Sequence, residues 1–496
     1  MSAFARASVY LRAVAAPAKR RDLLTVIAIF VAGRLSAFAA GVRFDASDLA
    51  GFWHFAPLHL LQTRLLETVF YLHFQPPLFN LYLGCVVKLF GSASTHAFAV
   101  SFLLLGLTTA LALFVLMRRL GVERRWALVL TSVFVSSPAT LLFESYLFYE
   151  LPVAALLVCS ALALHVALER RSSGSFAVFF GLLAALVLTR ALFHPLVLVA
   201  AALGPLLAFA RQRRALLRGF AVPALLVAAL CAKNQLVFAE PSTSTWLGMG
   251  LARMTLRTLD PEQKAAWVRE GLLSPVAAVH PPSSLAAYAN VMRMPDKTGI
   301  PILDEEQKPD GSLNLHHLAY AHISHTLLAD DLVVLRRAPA VYFAAADAAF
   351  RRFFQPASSW HPLAKNRIQL AAYDRLYSAI VHIGNGRALG VLFFAALGWA
   401  AFQACRPAFL PQQRAVIAFM ALTMSYVLFS GTLLEPLENM RFRFAVEPFL
   451  WIIVGLSLGP AKKPTVRLQA RAISRRYSSI SSANARRKLG RSRRRW

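Results

Sequence analysis

The chain has 496 residues, of which 57% are hydrophobic and only 16% are charged. A soluble protein of this length needs more polar surface, so the composition excludes the ordinary soluble class and predicts an all-α polytopic membrane protein. Lysine and arginine exceed aspartate and glutamate by 53 − 24 = 29. The basic residues stand in short runs between apolar segments and in the C-terminal tail, a positive-inside pattern that does not favour nucleic-acid binding.

Ten apolar segments approach or reach the length of about 20 residues that spans a bilayer. The predicted transmembrane helices cover 23–41, 96–117, 126–144, 151–168, 175–192, 195–210, 219–238, 387–405, 414–433 and 443–459. With both termini in the cytoplasm, every basic loop becomes cytoplasmic: KRRD (19–22), RRLGVERR (118–125), ERRSS (169–173), RQRRALLR (211–218) and RPAFLPQQR (406–414). This agreement favours ten helices. The high content of alanine, leucine and arginine suits a bacterial inner membrane.

Two large loops are external in this topology. A crossing at 77–91 would be too short and would move the basic run 118–125 outside, so we expect 42–95 to form one loop resting partly on the membrane. The segment 239–386 is expected to be a mostly helical accessory region. The predicted organisation is an N-terminal membrane module (1–238), this accessory region, C-terminal transmembrane helices (387–459) and a basic cytoplasmic tail (460–496) that contacts anionic lipid headgroups.

The stretch YLHFQPPLFN (71–80) interrupts the apolar text with polar residues and two prolines. Proline is well tolerated in the first turn of a helix, so Pro77 is predicted to be the first helical residue. His73 and Gln75 stand just before it, on the rim of a proposed cavity, where they would contact a substrate or serve only the structure. We expect the motif to position the first external loop.

Ionisable residues collect at the predicted external ends of the helices, where charge is costly and indicates function. Carboxylates there can act as a general base, and cations can hold a phosphate that a lipid presents at interface depth. Structural roles stay open for all of them: snorkelling cations, capping or ion-paired glutamates, and Asp48 as the cap of a helix at LAGFWHF. The residues are Asp45, Asp48, Glu144, Glu150, Arg190, His194, Lys233, Glu435, Glu438, Arg441 and Arg443.

No cofactor is required by any motif in the sequence. The four cysteines lack CxxC spacing, and neither a zinc motif, a P-loop nor a dinucleotide fingerprint occurs. A divalent cation would have to use Asp45 and Asp48, which form no recognised metal motif.

The order of these features resembles the membrane-embedded GT-C glycosyltransferases, in the group related to protein O-mannosyltransferases and bacterial lipid A sugar transferases (family 39-like). The matching residues are Asp45 and Asp48, then Pro76-Pro77-Leu78 and Leu89-Phe90-Gly91, and late in the chain ENMRFRFAVEPFLW. The resemblance covers about 20–240 and, faintly, 430–460. Two residues separate Asp45 from Asp48, where the family often has adjacent acids. Gln75 stands where many members have lysine, so Lys233 or Arg190 would replace that cation.

The resemblance implies transfer of a sugar from a polyprenyl-phosphate donor to a lipid, glycan or protein acceptor on the external face, by a single inverting displacement. Asp45 or Asp48 would be the catalytic base, and aromatic residues such as Trp53 and Phe55 would stack on the sugar or sit in the interface. A lipid-linked glycan ligase or polymerase, a sugar-lipid transporter and a non-catalytic scaffold remain alternatives. The lipid phosphate would bind Arg190, Lys233, Arg441 and Arg443, and the substrates would contact His73, Gln75, Glu144, Glu150, His194 and Glu438.

Overall fold

The computed structural model describes residues 19–407 and 409–458. The described part is 74% helical and contains no β-strand, which confirms the all-α prediction. An isolated parallel bridge joins Asp45 to Tyr146. The predicted lipid-binding tail, 460–496, lies outside the described residues.

The helices fall into three stretches of the chain. The first holds α1 Arg20–Ala39, α2 Leu58–Thr63, α3 Leu65–Phe70, α4 Pro77–Phe90, α5 Ser94–Leu120, α6 Arg124–Val135, α7 Pro138–Glu144, α8 Glu150–Arg170, α9 Ser173–Thr189, α10 Leu196–Ala208 and α11 Arg213–Phe238. The second holds α12 Leu247–Ala252, α13 Pro261–Arg269, α14 Leu285–Ala289, α15 Pro301–Asp304, α16 Leu318–Arg337, α17 Pro339–Phe353, α18 Ala364–Arg367 and α19 Ala371–Val381. The third holds α20 Arg387–Cys405, α21 Pro411–Leu434 and α22 Met440–Ser457.

Within the described residues, six helices are long and apolar enough to cross a membrane, or seven if the bent pair α6–α7 forms one span. Helices α9 and α10 are apolar but shorter. Long apolar helices are thus present as predicted, whereas the count of ten and the orientation stay predictions. The six are Arg20–Ala39, Pro77–Leu120, Glu150–Arg170, Ala210–Phe238, Arg387–Cys405 and Pro411–Leu434.

The proline pair starts a helix, as the sequence predicts: α4 begins at Pro77, with Pro76 as its N-cap. A short 3-10 turn, Gly91–Ala93, then leads into α5. Residues 77–90 are therefore helical and continuous with a long apolar stretch, and the irregular part of the predicted first loop ends before Pro77. The alternative in which Asp48 caps a helix at LAGFWHF is wrong: a 3-10 turn at Ser47–Leu49 is followed by turns and irregular backbone until α2.

Helix α8 is the central helix of the apolar bundle. Of an apolar stretch of 18 residues within α8, 83% is buried inside the protein. The helix packs against α5, α9, α21 and α22. Apolar residues cover all of its faces, and a helix of that kind is stable only when it is surrounded. Its first residue, Glu150, is thereby carried into the interior with no exposed surface.

A sharp bend separates α6 from α7, and Arg34 of α1 stabilises it. The two helices differ in direction by 56° at a short break that ends at Pro138. The Arg34 guanidinium donates to the Val135 carbonyl at 2.9 Å and to both carboxylate oxygens of Glu144 at 2.7 Å. A backbone carbonyl freed by a helix break needs a donor in an apolar environment. Arg34 supplies it.

Within the segment 239–386, residues between Met249 and Val334 form an apolar cluster around α16 that includes Phe74 of the first loop. Other residues of the segment, such as Phe353 and Trp360, belong to the main apolar core. Hydrogen bonds also fasten the segment to the first loop. Thr245 N donates to the His73 carbonyl at 2.9 Å, and Ser244 Oγ donates to the Phe74 carbonyl at 2.6 Å. Lys308 Nζ donates to the Phe52 carbonyl at 2.8 Å. The region that precedes Pro77 is therefore built jointly by two distant parts of the sequence.

A buried acid in α16 should make the stability of this segment depend on pH. Asp331 is fully buried, and burial, partly offset by a hydrogen bond from Thr255, raises its pKa from 3.8 to about 8. Between those values the folded chain holds a proton that the unfolded chain has lost, so stability falls as pH rises through this window. Asp331→Asn should flatten that dependence in thermal unfolding from pH 5 to 9. The exposed Asp347→Asn is the control, and an unchanged slope in Asp331→Asn would disprove the assignment.

Candidate functional site

A cavity of about 310 Å³ lies where the N-terminus of α8, the turn after α9, the start of the 239–386 segment and the α21–α22 junction meet. Residues that the sequence singles out line it: Gln75, Arg190, His194, Glu435 and Arg441, together with the aromatic residue Trp53. They come from four separate stretches of the chain, near 53, 75, 190–194 and 435–441. The other polar and aromatic side chains of the lining are His54, Tyr149, Glu240, Ser242, Ser244, Trp246, Tyr426, Ser430 and Phe442.

Two arginines of the lining share one buried carboxylate. Arg190 Nη1 donates to one oxygen of Glu150, and Arg441 Nη1 donates to the other at 3.1 Å. Both guanidiniums are 3% exposed, and Glu150 is not exposed at all. A carboxylate at the first turn of a helix also interacts favourably with the helix dipole. The pairing fixes the two arginines side by side at the cavity wall.

Further carboxylates balance the charge of this cluster. Arg441 Nη2 pairs with Glu438 at 3.1 Å, and Arg253 pairs with Glu435 at 2.8 Å. Glu438 is the most accessible of these carboxylates, with 31% of its side chain exposed. Arg441 Nε is buried and has no hydrogen-bond acceptor among the described residues. The wall thus retains an unused guanidinium donor despite the ion pairs around it.

His54 is a lining residue that sequence reasoning missed. Its ring hydrogen-bonds Tyr149 and stacks on it with 12° between the planes. Asn80 of the YLHFQPPLFN stretch accepts from Ala56 N at 2.8 Å and so fixes the backbone beside His54. Burial, together with nearby arginines, holds the pKa of His54 well below its usual value, so the ring is neutral. The aromatic run FWHF was the only pattern that could have indicated it.

Asp45 and Asp48 lie outside the lining of this cavity. The Asp45 carboxylate accepts from Ser47 N at 2.9 Å and pairs with Lys365 at 3.3 Å. Burial raises the pKa of Asp45, but the hydrogen bonds from Ser47 and the charge of Lys365 outweigh this and hold it below its usual value. Asp48 accepts a hydrogen bond from the Tyr146 hydroxyl.

One indole ring connects the aspartates to the arginine cluster. Tyr146, which holds Asp48, lies edge-on to Trp360 with 5.7 Å between ring centroids. The Arg441 guanidinium lies over the same indole, 4.9 Å from its centroid. Asp48 and Arg441 are therefore neighbours through Tyr146 and Trp360, while the cavity lining contains only the arginine.

Two more nominated residues pack beneath the lining. Lys233 Nζ donates to the Leu72 carbonyl at 2.9 Å. His73 is fully buried and hydrogen-bonds Thr245 at 2.8 Å and the His316 carbonyl at 2.9 Å. Burial lowers the pKa of His73 to about 3, so it stays neutral. Both side chains fasten the YLHFQPPLFN stretch to its surroundings.

The remaining nominated residues serve other contacts. Arg443 pairs with Glu447 and donates to the carbonyls of Phe353 and Gln355 at 2.8 and 2.9 Å. Glu144 binds Arg34 at the α6–α7 bend. Phe55 is buried and lies outside the lining, whereas Trp53 belongs to it.

An apolar groove of about 620 Å³ meets the cavity at Tyr426, which lines both. Most of its lining residues belong to α10 and α21, and along α21 it extends from Pro411 to Tyr426, about 22 Å at the helical rise. The Tyr426 hydroxyl donates to the Leu192 carbonyl and accepts from His194 N at 3.0 Å. Tyr426 therefore holds the turn that carries Arg190 and His194 at the end of an apolar channel.

Comparisons with protein-family models, curated proteins and solved structures found no match to this chain. Among residues 19–407 and 409–458, no group of three or more His, Cys, Asp or Glu side chains is arranged to hold a metal ion. The site is therefore interpreted from its own geometry.

Proposed function

We propose that the protein is a membrane glycosyltransferase that moves a sugar from a polyprenyl-phosphate donor to an acceptor on the external face. The proposal rests on one observation: the apolar groove meets, at Tyr426, the cavity that Arg190 and Arg441 line. A lipid phosphate has the same two parts, a long apolar chain and an anionic head. Guanidiniums bind phosphate with paired, charge-assisted hydrogen bonds, and Arg441 Nε has an N–H to offer.

In the proposed reaction, an acceptor hydroxyl attacks the anomeric carbon as the bond to the phosphate oxygen breaks. The lipid phosphate leaves with the bonding electrons, and Arg190 and Arg441 stabilise its growing negative charge. Asp45 or Asp48 takes the proton of the hydroxyl. Because neither aspartate lines the 310 Å³ cavity, the acceptor has to approach from the side of Tyr146 and Trp360.

Phosphate binding should respond to Glu438, the exposed partner of Arg441. Glu438→Gln removes a competing negative charge while Glu150 still holds the arginine. Binding of polyprenyl phosphate to the protein in detergent should strengthen about threefold, since an ion pair of this exposure contributes up to ~1 kcal/mol. Glu270→Gln, an exposed carboxylate outside the lining, is the control. Weaker binding in Glu438→Gln would mean that Glu438 contacts the ligand itself.

A second candidate is a lipid-phosphate-binding protein without transferase activity, favoured by the position of both aspartates outside the cavity lining. One assay distinguishes the two functions. It measures sugar transfer and lipid binding in membrane vesicles that are supplied with labelled polyprenyl-phosphate sugars and acceptors. A transferase should lose sugar transfer in Asp45→Asn or Asp48→Asn and keep lipid binding. Retained binding with no transfer from any donor, even in the wild type, would favour the second candidate.

A further inference from the structure

The cavity has an aromatic, uncharged part beside its arginines. Trp53 and Trp246 both line it, with ring centroids 5.3 Å apart and planes inclined by 59°. Phe74 supports them, because its ring stands perpendicular to Trp246 at 4.5 Å and lies 5.7 Å from Trp53. Both indoles are only partly buried, so part of each ring stays accessible. The result is a supported aromatic surface next to the ionic wall.

The two indoles come from different parts of the chain and are held together by backbone contacts. Trp53 belongs to the first loop, and Trp246 opens the 239–386 segment. Ser244 Oγ donates to the Phe74 carbonyl at 2.6 Å and accepts from Trp246 N at 3.1 Å. These bonds set the position of Trp246 relative to the loop that carries Trp53 and Phe74. The two indoles are therefore held in place by contacts within the protein.

Gln75 adds an amide with unused hydrogen-bonding capacity. Its side chain is 7% exposed and lines the cavity, and its Oε1 has no hydrogen-bond donor among the described residues. Pro76 and Pro77 follow directly, and neither has a backbone N–H that could turn back to the amide. The ionised phosphodiester of a lipid-linked sugar has no hydrogen to donate to this carbonyl oxygen, whereas a hydroxyl has. Gln75 therefore suits the hydroxyl-bearing part of a ligand.

Two carboxylates also line the cavity. Glu240 contacts His325 through Oε2 at 3.4 Å. Glu435 pairs with Arg253 through Oε2, and its Oε1 accepts from the backbone N–H groups of Leu437 and Glu438 at 3.0 and 3.3 Å, so Glu240 is the less occupied acceptor. Indole faces are electronegative and attract the weakly positive C–H groups of a sugar ring, while amides and carboxylates bind its hydroxyls. Aromatic faces, an amide and carboxylates together match a sugar better than they match a lipid or a simple anion.

We infer that Trp53, Trp246 and Gln75 form a sugar-binding subsite beside Arg190 and Arg441, so that the 239–386 segment supplies half of the surface that selects the sugar. This inference rests on the proposed function, because it assigns the sugar of the same lipid-linked donor. The phosphate lies at the arginines, the lipid chain continues past Tyr426, and the sugar ring stacks on the indoles with a hydroxyl on Gln75.

The test compares two probes on the full-length protein in detergent: polyprenyl phosphate, and polyprenyl phosphate carrying glucose, mannose, galactose or arabinose. The wild type should bind at least one sugar-linked probe more tightly than the bare lipid phosphate. Trp246→Leu and Gln75→Leu should each reduce that preference about tenfold and leave binding of the bare lipid phosphate unchanged. Trp246→Phe should restore much of it, and Trp267→Leu, outside the lining, should have no effect.

A series of monodeoxy sugars on the same lipid identifies the hydroxyl that Gln75 binds. Removing that hydroxyl should weaken wild-type binding about tenfold and leave Gln75→Leu unaffected. Equal binding of bare and sugar-linked probes by the wild type and by the variants would overturn the subsite, and the phosphate proposal would stand. If the wild type binds no probe, the proposed function fails and the subsite fails with it.

Discussion

Replacing Glu150 by glutamine is expected to destabilise the protein by about 3–5 kcal/mol, because the change leaves two buried guanidiniums without their shared counter-ion. Arg190 and Arg441 both bind this carboxylate, and all three side chains are at most 3% exposed. Water cannot replace the lost charge at such a depth. Thermal unfolding of the detergent-solubilised protein should show a large fall in the midpoint, and binding of lipid phosphate should weaken with it.

The matched control is Glu438→Gln, which removes a partly exposed carboxylate, 31% accessible, from the same arginine. It should change the midpoint little, since exposed ion pairs contribute at most ~1 kcal/mol. The double variant Glu150→Gln with Arg190→Gln should recover part of the lost stability, because one unpaired charge is removed. A Glu150→Gln protein as stable as the wild type would show that the carboxylate is not the common partner of the two arginines.

Gly106→Ala is expected to destabilise the apolar bundle by about 3 kcal/mol. An added Cβ at this position of α5 would stand 1.8 Å from Glu144 Oε2 and 3.2 Å from the Phe30 ring. The carboxylate cannot move away without breaking its contact with Arg34, which also supports the bend between α6 and α7. The added methyl group would therefore disturb both the ion pair between Arg34 and Glu144 and the bend between α6 and α7.

Gly181→Ala in α9 is the control for this change, since an added Cβ there meets nothing within 4 Å. Alanine has the higher helix propensity, so this variant should be as stable as the wild type or up to ~1 kcal/mol more stable. Both variants are compared by the midpoint of thermal unfolding in the same detergent. Equal midpoints for Gly106→Ala and Gly181→Ala would contradict the close contact between α5 and Glu144.

The sequence by itself determined the features that depend on local composition and pattern. Long apolar segments predict apolar helices. Because a helix tolerates proline in its first turn, the start of α4 at Pro77 could be predicted from the sequence alone. Ionisable residues within apolar segments stand out, which is why Arg190, His194 and Arg441 could be nominated, whereas Gln75 was nominated for its place before the proline pair. The end of the predicted loop at 95 was less secure, because an apolar stretch of 14 residues fits a surface segment and a helix equally well.

Only the tertiary structure decided which of these residues meet. Glu150 and Arg441 are 291 positions apart, and no periodicity in the sequence relates them. Glu144 and Glu150 have similar positions in the sequence, at either side of one predicted turn. In the structure Glu144 pairs with Arg34 at a helix bend, whereas Glu150 pairs with the arginines of the cavity. Trp246 reaches the cavity wall because Ser244 hydrogen-bonds both its backbone N–H and the Phe74 carbonyl. The physical reason is that ion pairs and cavity walls depend on distances between segments, whereas the sequence specifies directly only the segments themselves.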